Sequence, residues 1–429
     1  MVWKYLTIAS LTFCWMFSPD ALVLLGNSAG KGGWSFILFL LLAFSVSGWA
    51  IHILQSTYRT GVSPKNYQSI SSSTGMNTVV TLSLTLAYCL TLALFIPTGT
   101  LVTAGFTFNE TFVYWFPNFG FSFLLLGVIL LVHLWSVRLP LMLQVIFVGI
   151  TLISLLVLST IGLLSPQNSG SIPFSPSTDS ATAMETLHIG FTLFSGSMLL
   201  LLGYDQTINT SLKFKERLLI LTAGGLVLTL WGTASLLHIP HGKLCNSTIP
   251  YIIGAREIFG QPGRIIIGIA IISGTCGVVN GLFIFSNNCI QHLATSQSLP
   301  PAMSPILRQR AHALLLALLI GLFMASGLAG EEHLETYIYG ALLLWLLHTG
   351  YRLSTSAKVN YEKSKTPLIY CFFAPTLFFL TFFFSVASYN DFKTLSRFLI
   401  LALASSAAMA VCWLALGKCS KIKSTQSPQ

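Results

Sequence analysis

The sequence has very little charge: 8% of its 429 residues are Asp, Glu, Lys or Arg, whereas a soluble domain has roughly 25%. Hydrophobic residues make up 54% of the chain, and the mean hydropathy is +0.77. The longest polar stretches, around 165–182 and 241–263, are only about 15–25 residues long, too short for a separate soluble domain. The composition therefore predicts a single polytopic membrane domain.

Motifs for phosphate binding and for metal binding are also missing. The sequence contains no HExxH and no P-loop, and its eight cysteines show no CxxC spacing. The nine histidines are scattered along the chain. We therefore expect neither an enzyme nor a resident cofactor or metal.

Long apolar segments, by contrast, are plentiful. A helix needs about 20 apolar residues to cross a bilayer, and a window of about 19 residues is suited to finding such segments. The sequence predicts twelve spans, at 5–28, 34–55, 77–104, 117–137, 140–164, 184–208, 217–238, 264–293, 311–329, 334–354, 366–387 and 395–417.

The formal net charge of +10 is explained by how the basic residues are distributed between the two sides of the membrane. If the N-terminus is cytoplasmic, most of the 22 Lys and Arg residues lie on the cytoplasmic side of the predicted spans, as the positive-inside rule requires. We therefore expect both termini in the cytoplasm, a plasma or inner membrane location, and no nucleic-acid partner.

The first predicted span is interrupted near its middle by Ser18, Pro19 and Asp20. Proline cannot donate the backbone hydrogen bond that a continuous helix needs. An Asp at the bilayer centre costs about 2.5–3.5 kcal/mol on insertion scales, so it is a functional candidate by default. The alternative is a structural carboxylate that accepts hydrogen bonds from the freed amides.

A second acid, Asp205, follows the apolar run Leu199–Tyr204 in the middle of the chain. It could also be a hydrated structural acid, because Lys213 lies about two helical turns further on. Two spans with such breaks are typical of the midplane binding sites of secondary transporters. At a helix break, backbone amides without a helical partner attract a carboxylate, and carbonyls without one attract a cation. Two breaks that face each other therefore suit a zwitterionic substrate.

A third segment, 271–288, alternates small and apolar residues, which favours close helix packing. Ser273 and Thr275 are candidate ligands of a sodium ion, although hydroxyls are common in membrane helices. The asparagines Asn280, Asn287 and Asn288 need polar partners or water in such a span.

Four stretches in order resemble the amino acid–polyamine–organocation (APC) transporter superfamily over about the first 300 residues. Ser18-Pro19-Asp20 stands where the family has a Gly-Ser-Gly break, and Gly203-Tyr204-Asp205 with its basic exit is similar to the sixth span. Ala255–Gly260 resembles the outer helix before span eight, and 280–301 resembles span eight with its exit.

The resemblance implies an all-α, LeuT-like fold with discontinuous helices 1 and 6. Two inverted repeats of five helices, about 5–164 and 184–354, would form a transporter core at 1–355, and 356–429 would add two peripheral helices and a basic tail. The substrate site would be lined by residues of spans one, six and eight: Phe17, Ser18, Pro19, Asp20, Leu199, Leu202, Gly203, Tyr204 and Leu282.

The expected function is secondary active transport of an amino acid or related amine by alternating access, as proton-coupled symport or exchange. Asp20 would bind the substrate amine or a proton, and Asp205 would serve proton coupling or gating, since burial favours the neutral form of a carboxyl group. Sodium coupling is the less favoured alternative. A sensor of the same fold that has lost transport, and a membrane-embedded transferase, remain open as other functions.

Overall fold

A computed structural model describes residues 2–59, 75–136, 138–165, 183–204, 212–245, 247–296, 309–327, 333–364 and 368–425. These residues form fourteen α-helices and no strand. In chain order they are α1 (Val2–Met16), α2 (Pro19–Gly32), α3 (Trp34–Arg59), α4 (Gly75–Thr111), α5 (Asn118–Trp135), α6 (Leu139–Leu164), α7 (Ala183–Leu200), α8 (Phe214–His238), α9 (His241–Cys245), α10 (Pro250–Ser296), α11 (Gln309–Ala325), α12 (His333–Ser364), α13 (Leu368–Ala387) and α14 (Phe392–Thr425).

All twelve predicted spans overlap one of these helices, although 117–137, 184–208, 311–329 and 366–387 include residues outside the described ranges. Within the described ranges, seven helices are long and apolar enough to cross a membrane, or eight if the bent pair α1–α2 is one span. Shorter apolar helices cover Leu187–Leu200, Arg310–Ala325 and Phe372–Ala387. The chain is therefore an integral membrane protein, while the count of twelve spans and the inverted repeat stay predictions.

The predicted break in the first span divides it into α1 and α2, whose axes differ by 53°. Ser18 is the N-cap of α2, and its side chain accepts a hydrogen bond from the Ala21 N–H at 3.0 Å. Pro19 follows in the first turn of α2. Backbone N–H groups there have no partner within the helix, so the missing N–H of proline costs no hydrogen bond. Serine and proline in this order therefore end one helix and start the next.

A further interruption lies inside α10, at Phe259 and Gly260. Gly260 has φ +61°, a left-handed conformation that residues with a Cβ rarely adopt. The stretch Ala255–Gly260, which resembles the short outer helix before span eight, thus ends where the chain turns. The rest of α10 continues as one long helix to Ser296.

The main apolar core joins α1, α2 and α7 to residues of α3, α8, α10 and α12. Helix α10 packs chiefly against α6 and α4, and a second cluster forms between α4, α5, α10 and α11. The predicted boundary between the core and the peripheral helices, at 355/356, falls within α12, which continues to Ser364. The division into a core and peripheral helices stays a prediction.

Candidate functional site

Backbone hydrogen bonds define the first break. The N–H of Phe17 donates to the Phe13 carbonyl at 3.1 Å, and the N–H of Ser18 donates to the Trp15 carbonyl at 2.9 Å. A Cβ added at Gly274 of α10 would lie 2.8 Å from the Phe17 carbonyl oxygen. Glycine at this position therefore allows α10 to approach the backbone of the break closely.

Asp20 lies in the first turn of α2, directly after the break. Its Oδ2 atom is buried and has no hydrogen-bond partner among the described residues. A Cβ added at Gly99 of α4 would lie 3.6 Å from this oxygen, so the carboxyl group points towards α4. A helix N-terminus favours negative charge, but a buried acceptor without a partner costs free energy. This oxygen can therefore bind a cation or a proton.

The second break follows α7. The N–H of Leu202 bonds to the Leu199 carbonyl at 3.4 Å, and Gly203 has φ +113°. A Cβ at Gly203 would lie 2.7 Å from the carbonyl oxygen of Thr12, so the position requires glycine on two grounds. The chain turns here against α1, the first half of the broken span. Tyr204 is buried just after the turn, and Asp205 lies outside the described residues.

One hydrogen bond joins the two breaks. The Trp15 indole N–H donates to the Leu199 carbonyl at 2.8 Å, and both residues are almost fully buried. The end of α1 is thereby tied to the last turn of α7 by a specific polar contact in an apolar surrounding. The sequence does not predict this bond, because it joins residues 184 positions apart.

Five of the predicted lining residues are buried in the main apolar core. They are Phe17, Leu199, Leu202, Tyr204 and Leu282. Two open cavities of about 580 and 590 Å³ lie elsewhere, at the α10 interruption and at the start of α8. The side chains at the break are therefore packed together in this conformation, and their role in binding stays a prediction.

The two hydroxyls proposed for a sodium ion point to different helices. The Ser273 hydroxyl donates to the Phe147 carbonyl of α6 at 2.9 Å. The Thr275 hydroxyl donates to the Thr100 carbonyl of α4 at 3.2 Å. Each proton is thus used in helix packing, and an ion site at these residues stays a prediction.

A buried polar network near the break includes two residues that the sequence analysis did not single out. Asn280 of α10 donates to Gln144 Oε1 at 2.7 Å and to the Pro140 carbonyl at 2.9 Å. His133 Nε2 lies 2.9 Å from Asn280 Oδ1. Gln144 in turn donates to the Ser10 carbonyl of α1 at 3.3 Å. The network therefore connects α1 to α5, α6 and α10, and it supplies the partners that Asn280 needs.

Only one of these groups could have been recognised from sequence by its rarity. Gln144 is the only amide side chain in helix α6, whereas His133 lies near the end of a predicted span, like most of the other histidines. For metal binding, the described ranges contain no group of three or more His, Cys, Asp or Glu side chains that could hold an ion. The site thus offers one carboxylate, and hydroxyls and carbonyls around it.

Neither a protein-family model nor a curated protein matches the sequence. Among solved structures, the chain is similar to a manganese transporter from Eremococcus coleocola in which one histidine is replaced by alanine. The TM-score is 0.60 at 12% identity, and the match covers 98% of this chain and 94% of that one. The same transporter with an aromatic bis-isothiourea substituted compound also gives 0.60, at the same identity and coverage.

A variant of that transporter with a glutamate replaced by glutamine gives a TM-score of 0.59, again at 12% identity and with the same coverage. These matches extend over nearly the whole of both chains, so they show the fold. The chain therefore has the fold of a LeuT-like membrane transporter. The expectation of a transporter fold is confirmed, and membership of the APC superfamily stays a resemblance.

Proposed function

We propose that this chain is a secondary active transporter that carries a small cationic or zwitterionic substrate past Asp20. The observation that carries this proposal is the buried Asp20 Oδ2, which has no hydrogen-bond partner among the described residues and lies directly after a broken helix. The fold shared with a membrane transporter supports it independently. Secondary transporters that work by alternating access typically bind their substrate at such a break, near the membrane midplane.

The substrate class that we favour is an amino acid or a related amine. An ammonium group would be held by the Asp20 carboxylate. A substrate carboxylate would be attracted by amides at the start of α2. The lining contributed by Phe17, Leu199 and Leu282 is apolar, which favours a small or aliphatic side chain. A second candidate is a divalent metal ion, because the manganese transporter has the same fold and carboxylate oxygens suit Mn²⁺.

In this mechanism α1, α2, α3, α7 and α8 rock against the other helices and expose Asp20 alternately to the two sides. Both termini would be cytoplasmic, as the charge distribution predicts. Coupling to protons would use the same carboxyl group, which can exchange a proton for the substrate cation. Asp205 would then act in coupling or gating.

The decisive experiment is uptake into proteoliposomes that contain the purified chain. Labelled amino acids, polyamines and Mn²⁺ are offered separately, with and without an inward proton gradient. We expect one class to accumulate, and Asp20→Asn to lower its initial rate about ten- to hundredfold, because contacts to a charged group contribute about 1.5–3 kcal/mol. Asp391→Asn, which changes an exposed carboxylate beside His333, is the matched control and should leave uptake unchanged.

The outcomes separate the alternatives. Accumulation of Mn²⁺ alone would replace the amine by the metal ion as the substrate. Uptake only into vesicles preloaded with the same solute would indicate exchange. Specific binding without flux under any condition would favour the transport-dead sensor, and uptake by Asp20→Asn at the wild-type rate would remove this residue from the site.

A further inference from the structure

A second site, remote from Asp20, lies where the end of α3 meets the start of α8. An open cavity of about 590 Å³ is lined there by His52, Gln55 and Ser56 of α3 and by Lys213, Phe214, Lys215 and Glu216. None of these residues takes part in the proposed transport site. The His52 ring packs edge-on against Phe214, with ring centroids 5.4 Å apart, so the two helix ends form one wall of the cavity.

The charge at the cavity is positive. The Lys213 and Lys215 side chains are exposed, and helix α8 begins between them, so its N-terminal amides add partial positive charge. Glu216 also lines the cavity, but both its oxygens are engaged. Oε1 accepts from the Tyr5 hydroxyl at 3.0 Å, and Oε2 accepts from the Lys213 N–H at 2.7 Å. Two ammonium groups beside a helix N-terminus suit a phosphate group.

An independent observation at the same cavity concerns Gln55. Its side chain is only 8% exposed, and its Oε1 atom is buried without a hydrogen-bond partner among the described residues. A buried carbonyl oxygen of this kind needs a donor. A ligand that pairs with both lysines and with Gln55 therefore carries a phosphate group, which binds the lysines, and a hydroxyl or ammonium group, which donates to Gln55.

The surface beyond the cavity indicates where such a ligand comes from. Leu219 and Leu226 of α8 are 69% and 56% exposed. Leu219 is one helical turn beyond Lys215, on the same helix face. An apolar surface of this kind, leading away from a basic cavity at a helix end, matches the acyl chains and headgroup of a lipid.

We propose that this cavity binds the headgroup of a phospholipid of the adjacent leaflet, with its phosphate at Lys213 and Lys215 and a headgroup donor at Gln55. Glycerol and ethanolamine headgroups carry such a donor, whereas choline does not. A soluble phosphate ester has the same polar chemistry but lacks acyl chains for the α8 surface. The bound lipid holds the end of α3 to the start of α8, and through Glu216 and Tyr5 to α1.

The test uses the full chain, delipidated in detergent, with the apparent melting temperature as the readout. Phosphatidylglycerol, phosphatidylethanolamine, phosphatidylcholine and soluble glycerol phosphate are titrated separately. We expect a saturable stabilisation by phosphatidylglycerol, a smaller one by phosphatidylethanolamine and the least by phosphatidylcholine. Glycerol phosphate should have no effect at the same concentrations, and a shift equal to that of the lipid would overturn the lipid assignment in favour of a soluble ester.

Variants assign the effect to this cavity. Lys213→Gln and Lys215→Gln change exposed side chains and should each weaken the apparent affinity for phosphatidylglycerol about fivefold, the effect of one basic residue near an anionic lipid. Lys243→Gln and Lys393→Gln, in other parts of the chain, are the matched controls. Gln55→Met keeps the side-chain volume and should reduce the preference for glycerol over choline headgroups. Wild-type lipid affinity in both lysine variants would refute the site.

Discussion

Two polar regions of this protein contrast with each other: the buried Oδ2 atom of Asp20 and the buried network of His133, Gln144 and Asn280. Both lie among apolar helices, and Asn280 is 1% exposed. In the network, the amide of Asn280 bonds to Gln144 and to the Pro140 carbonyl, and its oxygen lies 2.9 Å from His133. Asp20 Oδ2 has no such partner within the described residues.

The difference between the two regions favours a structural role for the network and a binding role for Asp20. A buried polar group with all its partners stabilises helix packing, whereas a buried carboxylate oxygen without partners is maintained at a cost. Proteins violate the rule of paired buried groups chiefly at functional sites. Asp20 is therefore the better site candidate, although Asn280 is equally unusual in the sequence. Stability measurements on variants can test this contrast.

The largest expected effect on stability is that of Asn280→Leu. This change leaves several buried groups of the network without a partner, including Gln144 Oε1. Each group left unpaired costs about 1–3 kcal/mol. We expect a clearly lower apparent melting temperature of the purified protein in detergent. Ser45→Ala, which removes an exposed hydroxyl of α3 that bonds within its own helix, is the control. An unchanged melting temperature would mean that the network does not stabilise the fold.

An intermediate effect is expected for Trp15→Phe, which removes the bond between the two breaks but keeps an aromatic ring. The lost hydrogen bond to the Leu199 carbonyl is worth about 0.5–1.5 kcal/mol. Both the melting temperature and the initial uptake rate should fall. The matched control is Trp413→Phe, because the Trp413 indole nitrogen has no hydrogen-bond partner among the described residues. Equal effects of the two substitutions would show that the bond between the breaks is unimportant.

The smallest effect on stability is expected for Asp20→Asn. The substitution removes the negative charge of a carboxyl group whose Oδ2 atom is buried and has no partner among the described residues. The melting temperature should therefore stay the same or rise. Transport should nevertheless fall, so stability and activity would change in opposite directions, as is common at binding sites. A loss of stability as large as that of Asn280→Leu would instead identify Asp20 as a structural carboxylate.

Local sequence was sufficient to locate the helices and the first break. Apolar segments of bilayer length predicted spans that overlap helices throughout the chain, because in lipid each helix satisfies its own backbone hydrogen bonds. Ser18 and Pro19 predicted the end of α1 and the start of α2, since capping and the missing proline N–H act within one helical turn. The need of Asn280 for partners was also evident from its place in an apolar run.

The partners themselves were decided by tertiary structure. Gln144 and His133 meet Asn280 across 136 and 147 positions of sequence, and Trp15 meets Leu199 across 184. No local pattern specifies such pairs, because they depend on how the helices pack. The same holds for the close approach of Gly274 to the Phe17 carbonyl and for the cavity beside Gln55. The sequence by itself determined which segments are apolar enough for the membrane and where the first of them breaks, because both depend on neighbouring residues. Only the packing of helices decided which buried polar groups are paired and which remain available to a ligand.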